Sequence, residues 1–75
     1  MRSTGSYSLE AARGLTPRMV DVMRAAERGS SVDRTADELG VSASTVKAVR
    51  AALYSRLGVA TITAAIAEAR RRGEY

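Results

Sequence analysis

The 75-residue sequence has no cysteine and no histidine. The first absence removes disulfides, and the two together remove the usual ligands of a structural zinc. They also remove the common nucleophile–base pairs that rest on either side chain, and no catalytic residue is expected. Asp33, Asp37 and Glu38 are close in sequence, but their spacing suits a solvated helix face better than a metal pair. Neither metal nor cofactor is expected. No segment reads as a signal peptide and no apolar run is long enough to span a bilayer, which argues against secretion or membrane insertion. The lack of cysteine fits a reducing compartment such as the cytoplasm. Internal repeats and β-alternation are missing as well, which leaves a single all-α domain. A domain this small buries a modest core. With disulfide and zinc gone, association with a second copy is the reinforcement left to it.

Negative charge is scarce in one place. Residues 1–40 carry six basic and six acidic side chains, whereas residues 41–75 carry six basic and two acidic, which accounts for the net charge of +4. Between Glu38 and Glu68 there is no carboxylate, while Lys47, Arg50 and Arg56 fall inside that window. A surface that approaches phosphates cannot hold carboxylates, which would repel them at close range. Eleven of the twelve basic residues are arginine, a bias that suits a GC-rich bacterial or phage genome and says nothing of mechanism.

Helix punctuation is dense from Leu15 onward, after a segment (residues 1–14) that reads as a flexible arm with Ser3, Thr4, Gly5, Ser6 and Ser8 scattered through it. Leu9 to Arg13 is compatible with a short helical turn without a strong cap. Thr16-Pro17 is a strong helix start, since the hydroxyl accepts a free N–H and proline at the first position sacrifices none. Leu15 and Val20 have the spacing of a hydrophobic staple. Val20 and Met23, extended by Met19 and Ala26, are the expected inner face, and Gly29 ends the helix near Arg28. Ser31 caps a second helix with Asp33 in its first turn; Thr35, Ala36 and Leu39 are its expected inner face, and Gly40 closes it. Ser42 caps a third helix, about Ala43 to Leu57, ended by Gly58. Val46, Val49, Leu53 and Leu57 form its core arc. Ser44, Lys47, Ala48, Ala51 and Ser55 lie on the far side, with Arg50 and Tyr54 at the boundary. A fourth helix begins near Thr61 or Ile62 and stacks Ile62, Ala65, Ile66 and Ala69 on one side. Arg70, Arg71 and Arg72 fill its last turn, where the helix dipole favours cations.

Only Val41 separates Gly40 from the cap Ser42, so helices two and three must cross steeply, as in a helix-turn-helix. Ala36 has to be small where the third helix crosses it. Gly40 supplies a turn conformation that costs other residues more, and Val46 is the first apolar anchor of the third helix. An ordinary bundle with short loops is the alternative reading of these features. The chain also resembles the DNA-binding domain of LuxR-type regulators, which includes effector domains of two-component response regulators. The matching residues are Leu15-Thr16-Pro17-Arg18, Gly29, Ala36, Leu39, Ser42, Thr45-Val46-Lys47 and Leu57-Gly58-Val59. The resemblance runs without a gap from about Leu15 to Gly73, and so assigns residues 15–75 to that domain.

The resemblance implies a four-helix domain with its third helix in the major groove of double-stranded DNA, and dimers on two-fold related half-sites. By position, Lys47 matches a lysine that commonly touches DNA, Thr45 a residue near the DNA backbone, and Ala48 and Ala51 positions that often read bases. The fourth helix is commonly the dimer contact in the family. Ser44, Thr45, Lys47, Ala48, Arg50, Ala51 and Tyr54 are therefore the candidate DNA-binding residues. Arg50 either reaches a phosphate or lies along the core rim with its stem buried. Tyr54 either meets a phosphate or caps the core edge. Ala64, Ala67 and Arg71, opposite the core stripe of helix four, are the candidate homodimer contact; small residues there would admit a second helix, although alanine is also a good helix former.

Five positions depart from the family pattern. Met19 replaces a usual glutamate and forgoes a capping box worth about 0.5–1 kcal/mol. Thr35 replaces isoleucine, which leaves either a small packing deficit or a hydroxyl bonded back to a carbonyl. Val49 replaces a frequent histidine. Ala48 and Ala51 leave few long side chains for base edges, so affinity should rest on phosphates or on apolar contact with a thymine methyl. The reading is a stand-alone transcriptional regulator, cytoplasmic and nucleoid-associated in a bacterium. The residues ahead of the domain are too few for a sensor, so control would come from abundance or a partner. The competing readings are an interaction protein contacting RNA polymerase, a sigma factor or another regulator, and a phage-type architectural or recombination accessory protein.

Overall fold

The computed structural model describes residues 14–75, so the expected arm and the turn at Leu9–Arg13 lie outside the described residues, apart from Gly14. Four helices follow: α1 (Pro17–Glu27), α2 (Val32–Leu39), α3 (Ala43–Leu57) and α4 (Ile62–Arg71). Among the described residues there is no strand. Each helix starts where a hydroxyl accepts an otherwise orphaned N–H. Thr16 accepts from Met19 at 3.1 Å, Ser31 from Arg34 at 3.1 Å, Ser42 from Thr45 at 3.1 Å and Thr61 from Ala64 at 3.0 Å.

The helix ends use the opposite device, an N–H beyond the helix that reaches back to a late carbonyl. Val41 donates to the Ala36 carbonyl at 3.0 Å and Val59 to that of Tyr54 at 3.0 Å. Both closures need a left-handed residue, supplied by Gly40 (φ +70°) and Gly58 (φ +69°). Gly40, Val41 and Ser42 are thus the only three residues between α2 and α3.

α1 and α3 each pack against all three other helices, while α2 and α4 do not touch. The core lies between them: Met19, Met23, Leu53, Leu57, Ala65 and Ala69 form one buried cluster, with Leu15, Val49, Tyr54, Val59, Ile62, Ile66 and Tyr75 packed at its edge. Val22, Ala25, Thr35, Ala36 and Val46 are also buried. The inner face of α1 is therefore displaced from the expected one. Val22 and Ala25 are buried, and Val20 and Ala26 are only half-buried. A helix enclosed by three neighbours buries a broader arc than the single stripe that periodicity picks out.

Thr35, 1% exposed, donates its hydroxyl to the Ser31 carbonyl at 2.8 Å. This is the second of the two outcomes open for it, and it satisfies a buried polar group at the cost of isoleucine-sized packing. Met19, in the position of the absent capping glutamate, is instead buried in the core.

α4 is tied to α1 through the C-terminal residue. Tyr75 donates to the Glu27 carboxylate at 2.6 Å, Arg70 pairs with the same carboxylate at 2.7 Å, and the Arg70 guanidinium lies 5.1 Å from the Tyr75 ring centroid. The tyrosine's hydrogen bond, followed by the arginine, holds the Glu27 pKa below the usual carboxylate range. Burial, reinforced by Glu27, raises that of Tyr75.

Candidate nucleic-acid interface

α3 is fifteen residues long, or about 22 Å at about 1.5 Å per residue. Its buried edge is Val46, Leu53 and Leu57, with Val49 half-buried against the cluster. Ser44, Thr45, Lys47, Ala48, Ala51, Ala52 and Ser55 are exposed. At about 100° per residue, Ser44, Ala48, Ala51 and Ser55 share an arc of roughly 60° directly opposite the core. Lys47 stands beside this strip on one flank, followed by Tyr54 and Arg50; Ala52, Thr45 and Arg56 stand on the other.

The ion-pair pattern separates this helix from the rest of the surface. Among the described residues, six of the seven basic side chains outside α3 meet a carboxylate. Arg18 pairs with Asp21, Arg28 and Arg34 with Glu38, Arg70 with Glu27, and Arg71 and Arg72 with Glu68. Arg24 is the exception. None of Lys47, Arg50 and Arg56 pairs with a described carboxylate. Phosphates approaching α3 would meet cations with no competing anion to displace, whereas those approaching α4 would have to displace Glu68 or Glu27.

Glu68 is the most strongly held of these acids. Its bonds from Arg71 and then Arg72 pull its pKa to about 2. The run Arg70–Arg72 is thereby committed to helix four's own carboxylate and to α1, in keeping with a helix end stabilised in place. Glu38, expected from the sequence on a solvated helix face, accepts from Arg28 at 2.8 Å and from Ser30 at 3.0 Å. Those bonds, Arg28 first, lower its pKa. It joins α2 to the end of α1.

The remaining site residues divide as follows. Arg50 is half-buried and its Nε is enclosed without a hydrogen-bond partner, so its stem follows the core rim. Tyr54 is half-buried and packs its ring on the core cluster. The Thr45 hydroxyl lies 3.0 Å from that of Ser42, within the capping turn. Arg56, half-buried at the last turn of α3, belongs with these residues although the sequence reading left it out of the site. The carboxylate-free window already contained it, and helical projection places it beside Thr45. Of the proposed dimer contacts, Ala67 is exposed on the wall of a groove of about 380 Å³ between α1 and α4, also lined by Ala26, Glu27, Thr63, Ile66 and Arg70. Ala64 is half-buried, and Arg71 is exposed and held by both Glu68 oxygens.

This fold, with a capped helix behind a three-residue turn and a cationic face that meets no described carboxylate, is accompanied by a direct match. Residues 13–69 match the family described as bacterial regulatory proteins, luxR family. The chain belongs to the LuxR family. The match covers α1, α2, α3 and most of α4, so the domain is a DNA-binding domain of the transcription-regulator type, from a family that is not catalytic. No curated protein and no solved structure matches the chain. No helix among the described residues is long and apolar enough to cross a membrane.

Proposed function

We propose that the chain is a sequence-specific regulator that lays α3 in the major groove of double-stranded DNA and acts as a homodimer joined through α4. The observation that carries the reading is the charge pattern among the described residues: the cations of α3 meet no described carboxylate, and six of the seven elsewhere do. A helix with side chains is about 10–12 Å across and the major groove about 12 Å wide. Small outer residues let such a helix sit deeply, with its flanks toward the two phosphate walls. Lys47 faces one wall in this arrangement, and Thr45 and Arg56 the other. Residues 15–75 form the DNA-binding unit, and its place of action is the cytoplasm, on the nucleoid.

Selection of bound sites from a random duplex pool tests the proposal. A two-fold symmetric consensus is the expected result, because a dimer presents two α3 helices related by two-fold symmetry. Binding to random duplex should weaken steeply with salt as counterions are released. Absence of binding to any duplex at low salt would refute the proposal. It would favour the protein-contact reading, toward which the short side chains at Ala48 and Ala51 lean.

A further inference from the structure

Eleven of the twelve basic side chains are arginine, and Lys47 is the one lysine in the sequence. The difference is chemical as well as geometric. A guanidinium stays protonated in proteins, whereas an amine that gives up its proton is a nucleophile and takes up acyl groups. An activated acyl donor therefore finds a single reactive cation among the side chains, and it stands on α3. Lys47 is exposed and meets no described carboxylate, so no ion pair has to break before its amine reacts. One helical turn away lie Ala43 and Ser44 on one side and Arg50 and Ala51 on the other, none of them acidic. Arg50 and Arg56 also leave α3 without a described counter-ion. The field that favours DNA there favours equally a donor that carries phosphate, such as an acyl phosphate or the thioester of a phosphorylated carrier.

We propose that Lys47 is an acylation site whose modification releases α3 from DNA. This rests on the DNA-binding reading above and adds the regulation of that same surface. The Nζ atom attacks the acyl carbonyl carbon, and a C–N bond forms. The C–S bond of a thioester, or the C–O bond of an acyl phosphate, breaks in exchange. Thiolate or phosphate leaves with the electron pair, and the proton lost by Nζ passes to it or to water. The product is a neutral amide, so one phosphate neutralisation is lost. Binding and modification exclude each other. A lysine engaged by a DNA phosphate is shielded from the donor, so acylation acts on the free protein and keeps it free.

The test treats the full chain with acetyl phosphate in one arm and acetyl-coenzyme A in the other, with Nα-acetyl-lysine in the same tube as a reference amine. Tandem mass spectrometry should find the acetyl group on Lys47 in at least one arm, formed no more slowly than on the reference amine. Random-sequence duplex at low salt should slow that reaction in proportion to the fraction of protein bound, and leave the reference amine unaffected. The acetylated protein should bind the duplex more weakly, with the slope of log affinity against log salt lower by about one. Lys47→Arg should bind with the same affinity before and after treatment, which controls for acylation of the α-amino group. Lys47→Gln, which carries a neutral amide, should match the slope of the acetylated protein.

Acetylation of Lys47 more slowly than the reference amine in both arms would overturn the acylation site and leave DNA binding intact. Acetylated protein that binds duplex as tightly as before, with the same slope, would overturn the release. An unmodified chain that binds no duplex at low salt, yet is acetylated at Lys47, would overturn the DNA-binding reading and the release with it.

Discussion

Lys47 differs from the arginines of α4 in its surroundings more than in its charge. It is exposed and meets no described carboxylate, while Arg71 and Arg72 share Glu68. A phosphate can approach Lys47 without first breaking an ion pair. On the proposed reading, Lys47→Ala removes one phosphate neutralisation and lowers the slope of log affinity against log salt by about one. A salt titration checks this, and an unchanged slope would take Lys47 out of the interface. Arg50 shows the limit of reading single residues from sequence. Helical projection placed it at the boundary of two faces and could not say which it joined, because the burial of its Nε depends on how neighbouring helices close over the rim. The partners of Glu27 and Glu38 were equally out of reach. Tyr75 is 48 residues from Glu27 and Arg28 is 10 from Glu38, distances in sequence over which no local rule operates.

At the scale of elements the sequence was far more legible, for the same physical reason. A cap is a contact between residues three apart, so Thr16, Ser31 and Ser42 announce their helices without knowledge of the fold. The start and end of α3 agree with the sequence reading at both termini. The inner face of α1 was read less well, because burial of Val22 and Ala25 reflects the number of neighbouring helices, which periodicity does not encode. The α2–α3 turn is the element on which the interface depends. At Gly40 a Cβ would meet nothing within 4 Å, yet φ is +70°, so substitution there costs backbone strain alone. Gly40→Ala should destabilise the domain by about 1–2 kcal/mol, and thermal unfolding should show a melting temperature lower by at least roughly 4–8 °C. Gly40→Asn should be milder, since asparagine tolerates this conformation better. A Gly40→Ala protein as stable as the parent would remove strain as the reason for glycine here.

For the whole molecule, carboxylates rather than cations decide how charge is distributed. Glu27, Glu38 and Glu68 all have pKa values lowered in the folded state by their arginine, serine or tyrosine partners. A depressed carboxylate pKa adds stability above the ordinary value of 4.5 and loses it as pH falls toward the folded value, about 2 for Glu68. The melting temperature should therefore decline between about pH 4.5 and pH 2. Glu68→Gln should flatten part of that decline, as followed by thermal unfolding at a series of pH values; an unaltered profile would assign the acid sensitivity to other groups. The proposed association through α4 has its own check. Ala67→Glu places a charge on the exposed wall of the α1–α4 groove and should weaken self-association in sedimentation equilibrium, whereas an intact dimer would exclude that face as the contact.

Among the described residues, three of the four unpaired cations lie on α3, which also has a kinetic consequence. A molecule whose uncompensated charge is concentrated along one edge tumbles with that edge turned toward a polyanion before contact, so association should be fast and sensitive to ionic strength. The uncharged alanine strip adds nothing to that long-range pull and acts only after the helix has seated. On the proposed reading, the cations of α3 govern how quickly the protein arrives on DNA, and the close fit of that helix in the groove governs how long it stays.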